Sequence, residues 1–131
     1  MDLDLNLLRL SSSLAAHATA RQVLVAENVA HADTPGYKAR DLRPFDETLR
    51  ADQPGFAARA TRPGHLAFGA DPRGFDPREQ TALGAETPNG NTVSLEDQMM
   101  RAAEVRQSHA FALGVYSKAL DILRAGIGRP R

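Results

Sequence analysis

Residues 28–37 read Asn28-Val29-Ala30-His31-Ala32-Asp33-Thr34-Pro35-Gly36-Tyr37, and this stretch decides the fold. Upstream of it, Leu3, Leu7, Leu10, Leu14, Ala18, Val25 and Val29 recur at spacings of three, four or seven. That is the period of one helix face. Ala15, Ala16, Ala20 and Ala26 add helix propensity. The pattern predicts a helix over residues 3–31, on the order of 40 Å long at 1.5 Å per residue. Thr34-Pro35-Gly36-Tyr37 then stops it. Pro sets φ near about −65° at the second turn position and Gly accepts positive φ at the third, as a type II turn requires. Pro35 also disfavours helical backbone at Thr34. Asn28, His31 and Asp33 carry polar groups suited to a frayed helix end.

A second helix is predicted after Asn89-Gly90-Asn91-Thr92-Val93-Ser94-Leu95-Glu96. Ser94 suits the N-cap, Val93 supplies an apolar residue before it, and Asp97 stands where a capping box has Glu. Leu95, Met99, Ala102, Leu113, Tyr116, Leu120, Leu123 and Ile127 then follow a 4-3 spacing, the pattern of a coiled-coil seam. Gly126, Gly128 and Pro130 end the helix, which spans 94–127 and on the order of 50 Å.

Residues 33–93 between the helices hold seven of the eight prolines. This composition predicts an extended, partly flexible middle. Phe45 to Leu49, after Pro44, reads as a short helix, and residues 58–60 and 66–68 read as short strands. The fold class is mainly α. A single domain pairs its long N- and C-terminal helices as an antiparallel coiled-coil hairpin around that middle.

Pairing residue 3 near 127 puts residue 30 near 100 and sets Arg21 close to Arg106. Like charges facing each other are unfavourable. The expectation is that a straight 3.6-residue helix turns His17 and Arg21 outward and keeps Ala18 and Val25 inside. The alternative is that acidic groups of neighbouring chains meet the arginines, with Glu27 and Glu104 as candidates. A fully buried Leu stabilises by about 1.5–3 kcal/mol, against backbone ordering of about 1–2 kcal/mol per residue. An Ala-rich two-helix hairpin is marginal on that balance. The helices are therefore expected to be loose in a monomer and rigid in an assembly.

Sixteen basic and 16 acidic residues cancel, which argues against nucleic acid or an anionic membrane as partner. The absence of cysteine excludes disulfides and thiolate metal sites. The acidic start, with Arg9 breaking the apolar run, lacks the form of a cleaved secretory signal. His17, His31, His65 and His109 have no metal-site spacing. Ser11-Ser12-Ser13 lacks a nucleophile-elbow context, and the glycines lack phosphate-loop spacing. Asp41, Asp46 and Glu47 interleave with Lys38, Arg40 and Arg43, which reads as a solvated charge mixture. No catalytic, cofactor-binding or metal-binding residue is expected, and no enzyme activity.

One combination of segments has a family counterpart. Arg21-Gln22, Leu24 through Ala30, and Ala32 through Asp41 resemble the N-terminal signature of the flagellar rod and hook family. The residues that carry the match are Asn28, Ala30, Asp33, Thr34, Pro35, Gly36, Tyr37, Arg40 and Asp41. Asn89, Gly90, Asn91, Val93, Ser94, Leu95 and Glu96 resemble the motif that opens the C-terminal helix of that family. Thr61 to Leu66 resembles a weaker mid-chain feature. His31 stands where the family usually has Asn, and His109 where Tyr is expected.

The resemblance implies a structural subunit of the basal-body rod, the drive shaft crossing the periplasm. It implies export through the flagellar type III apparatus without signal cleavage. Expected partners are further copies in a homo-oligomer, other rod proteins, and the adaptor joining rod to membrane ring and export gate. Assembly would use the seam of Leu3, Leu7, Leu10, Leu14, Val25, Val29, Met99, Leu113, Tyr116, Leu120, Leu123 and Ile127. The competing readings are another axial protein of the family, a soluble helical adaptor, or a wall-glycan hydrolase. The last needs a cleft with a perturbed carboxylate.

Overall fold

The computed structural model describes residues 2–51, 75–80 and 86–128, with side chains from residue 5 to residue 50 in the first of these segments. Helix α1 spans Asp2–Ala30 and helix α3 spans Leu95–Ile127. Between them lie strand β1 (Arg40–Asp41), helix α2 (Phe45–Ala51) and strand β2 (Arg78–Glu79). The chain is mainly helical, and its two long helices pack against each other. They run antiparallel, since Asn28 meets Gln98 while Arg21 lies beside Glu104. That register is offset from the pairing of residue 3 with 127 by four to five residues, slightly more than one helical turn.

The predicted turn forms as its chemistry requires. Gly36 has φ +71°, and the Tyr37 N–H donates to the Thr34 carbonyl at 3.3 Å. The Gly36 N–H donates to the Asn89 carbonyl at 2.9 Å, and the Thr92 N–H to the Tyr37 carbonyl at 3.1 Å. The turn after α1 is therefore paired with the loop before α3. Gly90 has φ +82°, and a Cβ there would sit 3.4 Å from the Gly36 Cα, whereas one on Gly36 meets open space. Gly36→Ala should cost about 1–2 kcal/mol from left-handed backbone alone. The 3.4 Å at Gly90 is ordinary van der Waals contact, so Gly90→Ala should cost about the same, an equality that urea denaturation of the two variants reads directly.

Ser94 caps α3 as predicted, accepting from the Asp97 N–H at 3.4 Å. Asp97 does not close the capping box; its carboxylate turns to Arg101 and Gln80. The short helix after Pro44 forms. The strands expected at 58–60 and 66–68 lie outside the described residues. The observed sheet is β1 antiparallel to β2, with Arg40 opposite Glu79 and Asp41 opposite Arg78. Its charged residues carry no strand propensity; tertiary contacts hold them extended.

The packed seam differs from the expected one. On α1, Ser11, Ala18, Val25 and Asn28 are buried, with Leu14 and Arg21 half-buried, a continuous 3-4 spacing. Leu14 and Val25 thus face inward as expected, but Leu7, Leu10 and Val29 are exposed, and the Leu3 side chain lies outside the described atoms. On α3 the buried residues are Gln98, Val105, Ala112 and Ala119, every seventh position. Met99 is 72% exposed and Ile127 79%; Leu113 and Tyr116 are also exposed, while Leu120 and Leu123 are half-buried. The inner face is rotated by one residue from the Leu-rich stripe. Two causes act together. Ala112 and Ala119 allow close backbone approach, and a hydrogen bond draws Gln98 inward.

Candidate functional site

The helix pair is fastened by polar side chains at the turn end. Asn28 is 1% exposed and sits in the last turn of α1. Its Nδ2 donates to the Arg40 carbonyl at 2.7 Å and to Gln98 Oε1 at 3.0 Å. Its Oδ1 accepts from the Arg40 N–H at 3.0 Å and the Tyr37 hydroxyl at 3.3 Å. The amide thus satisfies both backbone groups of Arg40, as a neighbouring strand would, and explains why β1 lies there. Gln98 is fully buried and passes the network on to Gln80.

Asn91 closes the end of α1. The carbonyls it binds belong to the turn just beyond α1, which ends at Ala30. Asn91 Nδ2 donates to the His31, Ala32 and Thr34 carbonyls at 2.9, 2.9 and 2.8 Å. Its Oδ1 accepts from the Val93 N–H at 2.7 Å. His31 stacks flat on Tyr37, ring centroids 4.6 Å apart, with Nδ1 hydrogen-bonded to the Glu27 carbonyl. Thr92 Oγ1 accepts from the Ala39 N–H at 2.9 Å. Asn89 and Gly90 shape the loop, while Asp33, Thr34, Pro35, Leu95 and Glu96 face solvent.

Asp41 is the charged centre, and its burial corrects the reading of a solvated mixture. Arg21 Nε and Nη2 grip its two oxygens at 2.8 and 2.9 Å, and Arg101 Nη1 reaches the second oxygen. The Leu42 N–H donates to the first at 2.8 Å. Burial pushes the Asp41 carboxyl up, but the hydrogen bonds and charge of Arg21, with Leu42 and Arg101, outweigh it and hold the group below its ordinary range. The bond to Asp41 raises the Arg21 pKa against burial.

Arg21 and His17 are therefore turned inward, not outward. The acid that meets Arg21 comes from this chain, with Glu104 at 3.6 Å as a weaker second partner. Arg106 is exposed and does not face it. Arg40 pairs with Glu27 and Lys38 with Glu86 at the surface, where such pairs contribute little.

On the other side of the hairpin, a groove of about 510 Å³ opens between α1 and α3. Ala18, Val23, Val105 and Leu113 line it, with Arg106 and His109 also at its wall. Gln22 Oε1, also there, is buried without a hydrogen-bond partner among the described residues. Among the described residues no acid or His cluster suits a metal ion, and no helix is long and apolar enough to cross a membrane.

Asn28, Tyr37, Arg40, Asp41 and Asn91 are thus brought into one clasp. Gln98, Arg21, Arg101 and His17 are the members that sequence reasoning missed. Arg21 and Arg101 stand 20 and 60 residues from Asp41, so no local spacing marks them. Compared with known family models and with curated proteins, the chain matches none.

Proposed function

We propose that this chain is a structural subunit of the bacterial flagellar basal-body rod, transmitting torque through packed helices and catalysing no reaction. The family resemblance supplies the identity. The Ala39-Arg40-Asp41 continuation points to the proximal rod protein FlgB within that family. The observation that carries the reading is the second stripe of α3. Leu95, Met99, Leu113, Tyr116 and Ile127 stay exposed while small and polar residues fill the hairpin's own seam. Apolar area left outside a folded hairpin is what packing against further copies would cover. Export through the flagellar type III apparatus, and contacts to other rod proteins and the ring adaptor, belong to the same proposal.

Met99→Glu with Leu113→Glu tests it. Both sites are exposed, so the isolated chain should keep its urea midpoint to within about 0.5 kcal/mol. A deletion strain should lack rods by electron microscopy and fail to swim, and the double variant should fail to restore either. Motile cells with intact rods after deletion, with no second gene copy, would sink the reading. The open groove favours a second reading, a soluble adaptor binding one partner helix. An adaptor gives a stable monomer or dimer in sedimentation and leaves rods intact when deleted.

A further inference from the structure

His17 lies on α1 beneath the returning chain and is 5% exposed. Its Nε2 is 2.8 Å from the Arg43 carbonyl. A carbonyl only accepts, so Nε2 carries the proton and donates. The ring sits 5.5 Å from Phe45 and 5.1 Å from Phe75, the latter edge-on. A cavity of about 170 Å³ adjoins it, bounded by Leu14, Pro44, Phe45, Val105 and Ser108. One imidazole thus ties α1 to the segment that leads into α2.

Among the described residues, two charges act on the ring: Arg21, one turn along α1, and Asp41 on the returning segment. The α3 residues that share its cavity, Val105 and Ser108, carry none. The carboxylate of Asp41 is already engaged by Arg21, Arg101 and the Leu42 amide. A second proton on the ring would therefore place a charge between phenyl rings and beside a guanidinium, with that acid committed elsewhere.

We propose that His17 is a pH-operated latch: neutral, it holds residues 42–50 on the helix pair, and charged, it releases them. Burial lowers its pKa from 6.5; the Arg43 carbonyl opposes this, Arg21 adds to it, and Asp41 opposes it. Once the segment lifts away, the ring regains its ordinary affinity for protons. The released state then binds a proton more readily than the latched one. Release is thus favoured as pH falls below about 6.5, and the gain levels off below the latched-state pKa. The latch stands whether or not the chain is a rod subunit.

The test uses the full chain. Amide hydrogen exchange of residues 42–50, corrected for intrinsic rates and referred to α3, should rise by up to about tenfold per pH unit between pH 6.5 and the latched-state pKa. His17→Gln keeps a donor near the Arg43 carbonyl and does not titrate, so its ratio should stay flat. NMR titration of the His17 ring in the unaltered chain should give a midpoint below 6.5, a reading that survives even if the variant folds poorly. An equal pH response in both proteins, or a ring midpoint at or above 6.5, overturns the latch.

Discussion

Asn91→Ala should destabilise the chain by on the order of 3–5 kcal/mol, the largest effect expected of any single truncation outside the apolar seam. The side chain is 2% exposed and serves three carbonyls and one amide. Truncation leaves the Ala32 carbonyl and the Val93 N–H without a partner, while the His31 and Thr34 carbonyls lose one donor each and keep the Thr34 and Tyr37 N–H. Each group left bare costs about 1–3 kcal/mol, and each lost bond adds about 1 kcal/mol. Water entering from the exposed turn recovers part of that, which sets the range below a plain sum. Asn91→Asp should be at least as damaging, because it aims an acceptor at three acceptors. Urea denaturation measures both. A midpoint for Asn91→Ala within about 1 kcal/mol of the unaltered chain would show that the cap is incidental.

Asp41→Ala ranks second. It leaves the Arg21 and Arg101 guanidinia facing each other without their shared carboxylate. Breaking a buried pair costs about 3–5 kcal/mol. These arginine side chains are about a fifth exposed, 21% and 18%, so solvent screening brings the expectation to about 2–4 kcal/mol. The pH dependence follows from the direction of the shift. The folded carboxyl holds its proton less tightly than the ordinary value of 3.8. Its contribution is therefore complete above about pH 3.8 and is lost as pH falls through the lower folded value. Urea midpoints taken from pH 5 down to pH 2 should converge between Asp41→Ala and the unaltered chain. Curves that stay parallel throughout would remove Asp41 from the acid response.

The helices, their stops and the turn between them were legible because local chemistry dictates them. Pro35 and Gly36 admit few backbone alternatives, and the Ser94 cap satisfies the start of α3 wherever that helix packs. The inward face of α3 was not legible. Periodicity finds a stripe of large residues at Met99, Leu113 and Leu120 and assigns it to the nearest helix. The true inner face is set by Gln98 and two alanines, which score as polar or neutral in any apolar count. The clasp was half legible. Asn28, Asp41 and Asn91 stood in the quoted motifs, but their partners lie up to 70 residues away and appear only when the chain closes. The outward turn assigned to Arg21 assumed that the helices had only each other to face; the returning segment supplies Asp41 instead.

The tie between Asn28 and Gln98 also behaves as a dowel. A seam that repeats small residues every seven positions permits sliding by a heptad, whereas a directed amide pair admits one setting. From that pin α1 runs 26 residues back to Asp2, and α3 runs 29 residues on to Ile127. The two helices then finish about 4.5 Å apart along their axes at 1.5 Å per residue. The far end of the hairpin is blunt, and the bonds that make it so lie a full helix length away.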